Sequence, residues 1–250
     1  MGNVEQWTVA KSALNNAGSR WLPVRHPALY AGEVFATFAR SQGIELTPPQ
    51  ETQAAPTGTP IAAHESAPLR DLMRAMLRFS TNITAEAAGL RTTTALKGVQ
   101  RGLRTSALGM ARWADARCGG INPYFVDHSG LGDQSRISAA DMVTLLHAPG
   151  VVDILRPIMR NIAVSDGNDV VINAPIVAVQ AKTGTLNFVS SLAGYARTTD
   201  GRDLAFAIFA ADLAARERGK LQGDENPPGA RGWTRRARAL QQRILRNLVA

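Results

Sequence analysis

The chain has 250 residues, enough to bury the core of one large domain or two small ones. Its 45% hydrophobic and 19% charged residues exclude general disorder. The formal charge is +8; of 28 basic residues only Lys11, Lys97, Lys182 and Lys220 are lysines, a surplus of arginine that suits anionic partners of any class.

Met1–Arg25 lacks a charged start followed by an apolar core, so no signal peptide is expected there. Residues 28–42 predict a helix, with Pro27 before it, Val34, Phe35, Phe38 and Ala39 recurring at helical spacing, and Gly43 as a stop. Thr47–Pro60 holds four prolines and reads as a loop between units. The expected division is an N-terminal remnant over 1–60 and the main domain over 61–250. Ser66 and Pro68 open a second helix with Leu69, Leu72, Met73, Met76 and Leu77 on one face and Arg70, Arg74 and Arg78 on the other. It stops at Ser80, and another helix begins near Thr84. Ser138 and Asp141 form a capping pair for a helix through Leu146, ended by Pro149 and Gly150.

After residue 175 the period changes. Ile176–Ala181, Leu192–Ala196 and Leu204–Ala211 are short apolar segments separated by turns, which predicts an antiparallel meander, with Thr199-Asp200-Gly201 turning between the last two. Leu204–Ala211 is the longest apolar run and is too short to span a bilayer, so no transmembrane segment is expected. The chain closes on an amphipathic helix with Trp233, Ala237, Leu240, Ile244 and Leu248 on the side expected to pack across the strands. The predicted fold is α+β and three-layered, an antiparallel sheet flanked by helices.

Two short motifs bear on chemistry. Ser80-Thr81-Asn82 lies at a break between helices, and Lys182-Thr183-Gly184-Thr185 lies at the end of the first meander strand. Each alone is a weak signal; together, in this order, they resemble serine acyltransferases defined by S-x-x-K, S-x-N and K-T-G. The text around Val179–Leu186, Ser191–Tyr195 and Leu204–Ile208, with Asp127-His128-Ser129-Gly130-Leu131 and Arg136-Ile137-Ser138, is similar to the class C low-molecular-mass penicillin-binding proteins. These are D-Ala-D-Ala carboxypeptidase/endopeptidases, and the resemblance implies a partial β-lactamase/transpeptidase-like domain. It implies peptidoglycan stem peptides ending in D-Ala-D-Ala as substrate, β-lactams as inhibitors, and a periplasmic or extracellular location. By the same resemblance Ser80 relays a proton to the leaving amine, Asn82 orients the substrate, and Lys182 supplies positive charge. Thr183 and Thr185 bind the substrate carboxylate beside Gly184, and the Thr185 backbone N–H supplies half of an oxyanion hole.

The chain departs from the family pattern at one point. No serine in it has a lysine three positions on; Thr94-Ala95-Leu96-Lys97 has the spacing but falls after the S-x-N motif and reads as a helix face. The nucleophile segment is therefore expected to be lost by N-terminal truncation. The alternative is a non-catalytic relative that binds peptidoglycan without cleaving it. A class A β-lactamase is disfavoured because no glutamate lies between Glu86 and Glu217 to activate a deacylating water.

Other features take bland readings. Asp127-His128-Ser129 is not a triad, since adjacent side chains point apart; His128 reads as a polar loop residue near the cleft. His26, His64, His128 and His147 have no metal-ligand spacing, so neither metal nor cofactor is expected. The arginines of the last helix read as a solvated face, not a nucleic-acid patch, because no aromatic residues are interleaved with them.

Overall fold

A computed structural model describes residues 6–9, 11, 14, 17–18, 22, 24–54, 57–98, 102–164 and 178–250. It divides into two units, Met1–His64 and Glu65–Ala250. In the first, α1 (Pro27–Ser41) is followed by chain without regular structure; Pro27 at the first position suits the helix, since its missing N–H would be unpaired there anyway.

The second unit opens with α2 (Leu69–Phe79), α3 (Asn82–Lys97) and α4 (Leu103–Cys118). Ser138 caps α5 (Ala139–His147), its hydroxyl accepting from the Asp141 N–H at 3.0 Å, as the sequence pair predicts. After α6 (Val151–Leu155) come four strands: β1 (Arg160–Asn161), β2 (Ala178–Leu186), β3 (Val189–Arg197) and β4 (Asp203–Ala211). They form one antiparallel sheet in chain order. Then follow α7 (Leu213–Leu221) and α8 (Ala230–Val249). No helix among the described residues is long and apolar enough to cross a membrane.

The expected meander is thus present, with strands longer than their apolar runs and a short β1 at the edge. Ile176 and Val177, expected to begin the first strand, lie outside the described residues. The Lys182-Thr183-Gly184 motif sits in the second half of β2, which continues to Leu186.

Pleating assigns the two sheet faces. Val179 and Ala181 of β2, Leu192 and Ala196 of β3 and Phe206 of β4 form a buried core with Leu245 and Val249 of α8. On the opposite face Tyr195 of β3 donates its hydroxyl to the Leu146 carbonyl of α5 at 2.8 Å. Helices therefore cover both faces, and the sheet is the middle layer. Gly194 allows close packing at its centre: a Cβ there would lie 2.6 Å from the Ala181 Cα.

The side of α8 that packs is rotated from the predicted one. Ala230, Ala237, Gln241, Leu245 and Val249 are buried, whereas Leu240 and Ile244 are 50% and 38% exposed. Ala237, which is buried, and Leu248, which is partly buried against the core, do fit the prediction, because α8 carries apolar residues on two sides. Trp233 instead meets Phe188 edge to face, with ring centroids 6.2 Å apart.

Candidate active site

Two chain segments converge on the face of β2 opposite α8. The first is the junction of α2 and α3. Ser80 closes α2 in the left-handed conformation, φ 56° and ψ 47°, with its N–H donating to the Met76 carbonyl at 2.8 Å. A left-handed helix end commonly employs glycine; a serine there stores about 1 kcal/mol of backbone strain. Only Thr81 intervenes before α3, which begins at Asn82, so the reversal carries both motif residues at one exposed corner.

The second segment is β2. Alternation along the strand directs Lys182 and Gly184 to the face that bears Tyr195, and Thr183 and Thr185 to the α8 face. The Lys182 ammonium donates to the Ser80 hydroxyl at 2.6 Å and to its neighbour's carbonyl, that of Thr183, at 2.5 Å. Burial lowers the Lys182 pKa from the ordinary lysine value, because desolvation disfavours the charged form. Ser80 and Lys182 are 102 residues apart, and the fold brings their polar atoms into contact.

The remaining motif residues are arranged differently. Asn82 is exposed at the first position of α3, and Thr183 is exposed on the strand. The Thr185 hydroxyl accepts from the Arg238 guanidinium of α8 at 3.2 Å. Arg238 is a neighbour the sequence reading missed; it lies in an arginine-rich helix with nothing in its spacing to single it out. Among the described residues β1 covers β2 only at Gln180 and Ala181, so the outer edge of Lys182–Leu186 is open. An open strand edge offers backbone donors and acceptors to an extended peptide.

The corner is braced from behind. Tyr124 and Arg136 pair through their backbones at 2.8 and 2.6 Å and enclose the Asp127–Leu131 loop. Buried Asp127 accepts from the backbone N–H groups of Gly130, at 2.9 Å, and Gly132. Glu86 of α3 accepts from the N–H groups of His128 and Ser129, both at 3.0 Å. Burial pushes the Glu86 carboxyl up, but hydrogen bonds from Ser129 and from these amides outweigh it and hold its pKa below the usual value. The His128 Nε2 lies 2.8 Å from the Ser106 hydroxyl of α4, and its ring covers Gly89 of α3. The three residues Asp127, His128 and Ser129 thus point to three different partners, and no triad forms. Neither Glu86 nor Ser106 had a sequence signal, since each acts through a contact distant in the chain.

The sequence model of the D-Ala-D-Ala carboxypeptidase 3 (S13) family matches residues 8–225. The chain belongs to that family. The carboxypeptidase DacB of Mycolicibacterium smegmatis is 29% identical over 202 residues, which are 74% of this chain and 42% of that protein. The chain therefore spans less than half the length of this curated relative. Penicillin-binding protein 4 (dacB) of Haemophilus influenzae, solved in complex with a β-lactam, superposes with a TM-score of 0.64 at 22% identity, over 90% of this chain and 52% of that one. A second structure of the same protein gives 0.61 at 23% identity, over 75% and 44%. At these identities the likeness shows the fold, which is the transpeptidase-like arrangement of helices around an antiparallel sheet.

Proposed function

We propose that this chain supplies the substrate-clasping half of a serine-type D-Ala-D-Ala carboxypeptidase/endopeptidase acting on peptidoglycan stem peptides. The observation that carries the reading is the 2.6 Å contact between the Lys182 ammonium and the Ser80 hydroxyl, made between two family motifs. In this reading the substrate lies along the open edge of β2. Lys182 provides positive potential beside its terminal carboxylate, with the Thr183 and Thr185 hydroxyls as further donors, while Gly184 leaves room for the Ser191 hydroxyl of β3. Asn82 holds the peptide's amide, and the Thr185 N–H stabilises the developing oxyanion. Ser80, polarised by Lys182, passes a proton to the departing D-Ala amine. The acyl-accepting serine is a different residue, because activation needs a base placed to take its proton and Lys182 already serves Ser80 as donor. β-Lactams are the expected inhibitors, and the site of action is periplasmic or extracellular; the family membership and the β-lactam complex of the Haemophilus protein support both.

The absence of any serine followed three residues later by lysine favours one second reading, a non-catalytic protein that binds stem peptides. Two measurements separate these. Calorimetry with an N-acyl-D-Ala-D-Ala peptide should show binding that Lys182→Ala weakens about tenfold or more, as expected for loss of a charge-assisted contact. Intact-mass spectrometry after incubation with a β-lactam should show no adduct on the 250-residue chain, and a stoichiometric adduct once a segment bearing S-x-x-K precedes it. An adduct on Ser80 would overturn the relay role, and none on the extended protein would favour the binding reading.

A further inference from the structure

Beyond Thr185, β2 runs into a groove of about 660 Å³ between its end and α8. Four arginines of α8 line it: Arg231, Arg235, Arg238 and Arg246. Among the described residues no carboxylate lines the groove, and none of the four arginines forms an ion pair. The spacing of four, three and eight positions places them along one side of the helix, over about 22 Å at the usual helical rise.

This placement is electrostatically unfavourable in the free protein. Like charges three and four positions apart on a helix repel, and cations near a helix N-terminus oppose its dipole. Arg231 is in the first turn of α8, Arg235 follows a turn later, and the 20 residues of α8 include no acidic one. A bound anion would relieve both effects at once. Arginine is suited to that task, since its planar fork meets a carboxylate with two parallel hydrogen bonds. The groove is also continuous with the candidate site, because Arg238 already donates to Thr185.

We infer that this arginine groove is an extended subsite that binds carboxylates of a peptide strand lying beyond the reactive end of the substrate. The inference rests on β2 being the substrate-bearing strand. Its length accommodates about seven residues of extended peptide at roughly 3.3 Å each. The ligand class follows from the repeated single-charge forks and from continuity with a strand proposed to hold a peptide carboxylate.

The test employs the full chain and fluorescein-labelled hexa-D-glutamate, which has no D-Ala-D-Ala end, followed by fluorescence anisotropy. The peptide should bind, and the uncharged hexa-D-glutamine should not. Replacing three groove residues together (Arg235→Gln, Arg238→Gln, Arg246→Gln) should weaken binding about tenfold or more, through loss of charge-assisted hydrogen bonds. An equal change of net charge elsewhere (Arg70→Gln, Arg91→Gln, Arg112→Gln) should alter it less than about twofold, because distant charges are screened. Equal losses from both sets, or no binding by the wild-type chain, would overturn the inference. A short inorganic polyphosphate of matched charge that binds tenfold more tightly would assign the groove to phosphates and overturn the carboxylate assignment. Failure here is distinct from failure of the Ser80–Lys182 reading, which is tested by the effect of Lys182→Ala on binding of the D-Ala-D-Ala peptide.

Discussion

Ser80 joins backbone strain to a polar contact, and the two can be separated by substitution. Its left-handed conformation favours glycine, whereas its hydroxyl is what Lys182 touches. Ser80→Gly should therefore leave the thermal midpoint unchanged or raise it, by up to about 1 kcal/mol of relieved strain, while removing any contribution of the hydroxyl to peptide binding or turnover. Ser80→Ala should remove the same hydroxyl and keep the strain. Circular-dichroism melts of the two variants read the strain as their difference, and a Ser80→Gly protein less stable than the wild type would show that the hydroxyl holds the corner together. Lys182 adds a pH dependence. Its pKa is depressed by burial, so its charge is lost below the pH at which an ordinary lysine is neutralised. Affinity for a carboxylate peptide should accordingly fall as pH rises towards 10.5 from below, and this fall should vanish in Lys182→Met.

At the scale of elements, the sheet and the helix across it dominate the packing. Leu245 is fully buried against β2 and β3, so Leu245→Ala should cost about 2–5 kcal/mol, whereas Leu240→Ala on the half-exposed side should cost under about 1 kcal/mol. Urea denaturation decides between this rotated stripe and the one drawn from periodicity. Gly194→Ala should cost about 1–3 kcal/mol by overpacking, since its new methyl would press on the Ala181 backbone next to Lys182. Tyr195 ties the sheet to α5, and burial pushes its phenol up to about 12, above the usual value of 10. A raised folded pKa means that the protonated phenol stabilises the fold fully below pH 10. That stability is lost as pH climbs from 10 towards 12. The alkaline loss of stability should be shallower in Tyr195→Phe, which is also expected to be about 1 kcal/mol less stable at neutral pH.

Across the whole molecule, burial is uneven. β2, β3 and α8 contribute six of the eight residues of the buried cluster between sheet and helix, while α2 and α3, which bring Ser80 and Asn82, have no fully buried residue. Local stability follows buried contact, so native-state hydrogen exchange should be slowest in β2, β3 and the Leu245 turn of α8, and markedly faster in α2 and α3. Equal protection of both layers would contradict this division. The candidate site thus lies where a firmly packed strand meets a lightly buried helical corner, and the contact from Lys182 to Ser80 spans the two.

Several of these features could be read from the amino-acid order alone, because they depend on neighbours a few positions apart. Helix α5 announces itself by the Ser138–Asp141 cap, α1 and α2 by apolar spacing, and the strands by apolar runs between turn residues. The paired motifs, with the text around them, also announced the family. Other elements had no such signal. The buried side of α4 is Ser106, Ala107, Ala111 and Ala114, small residues that leave no apolar stripe to detect. β1 pairs through only two residues, too few to show a period. Which side of α8 packs depended on the fit of the helix against the sheet, a property of two surfaces rather than one. The same holds at the site: Ser80 and Lys182 meet, Arg238 reaches Thr185, and Glu86 clasps the loop at His128. Each of these contacts joins residues tens of positions apart, so their chemistry was present in the sequence while their proximity was decided only by the tertiary fold.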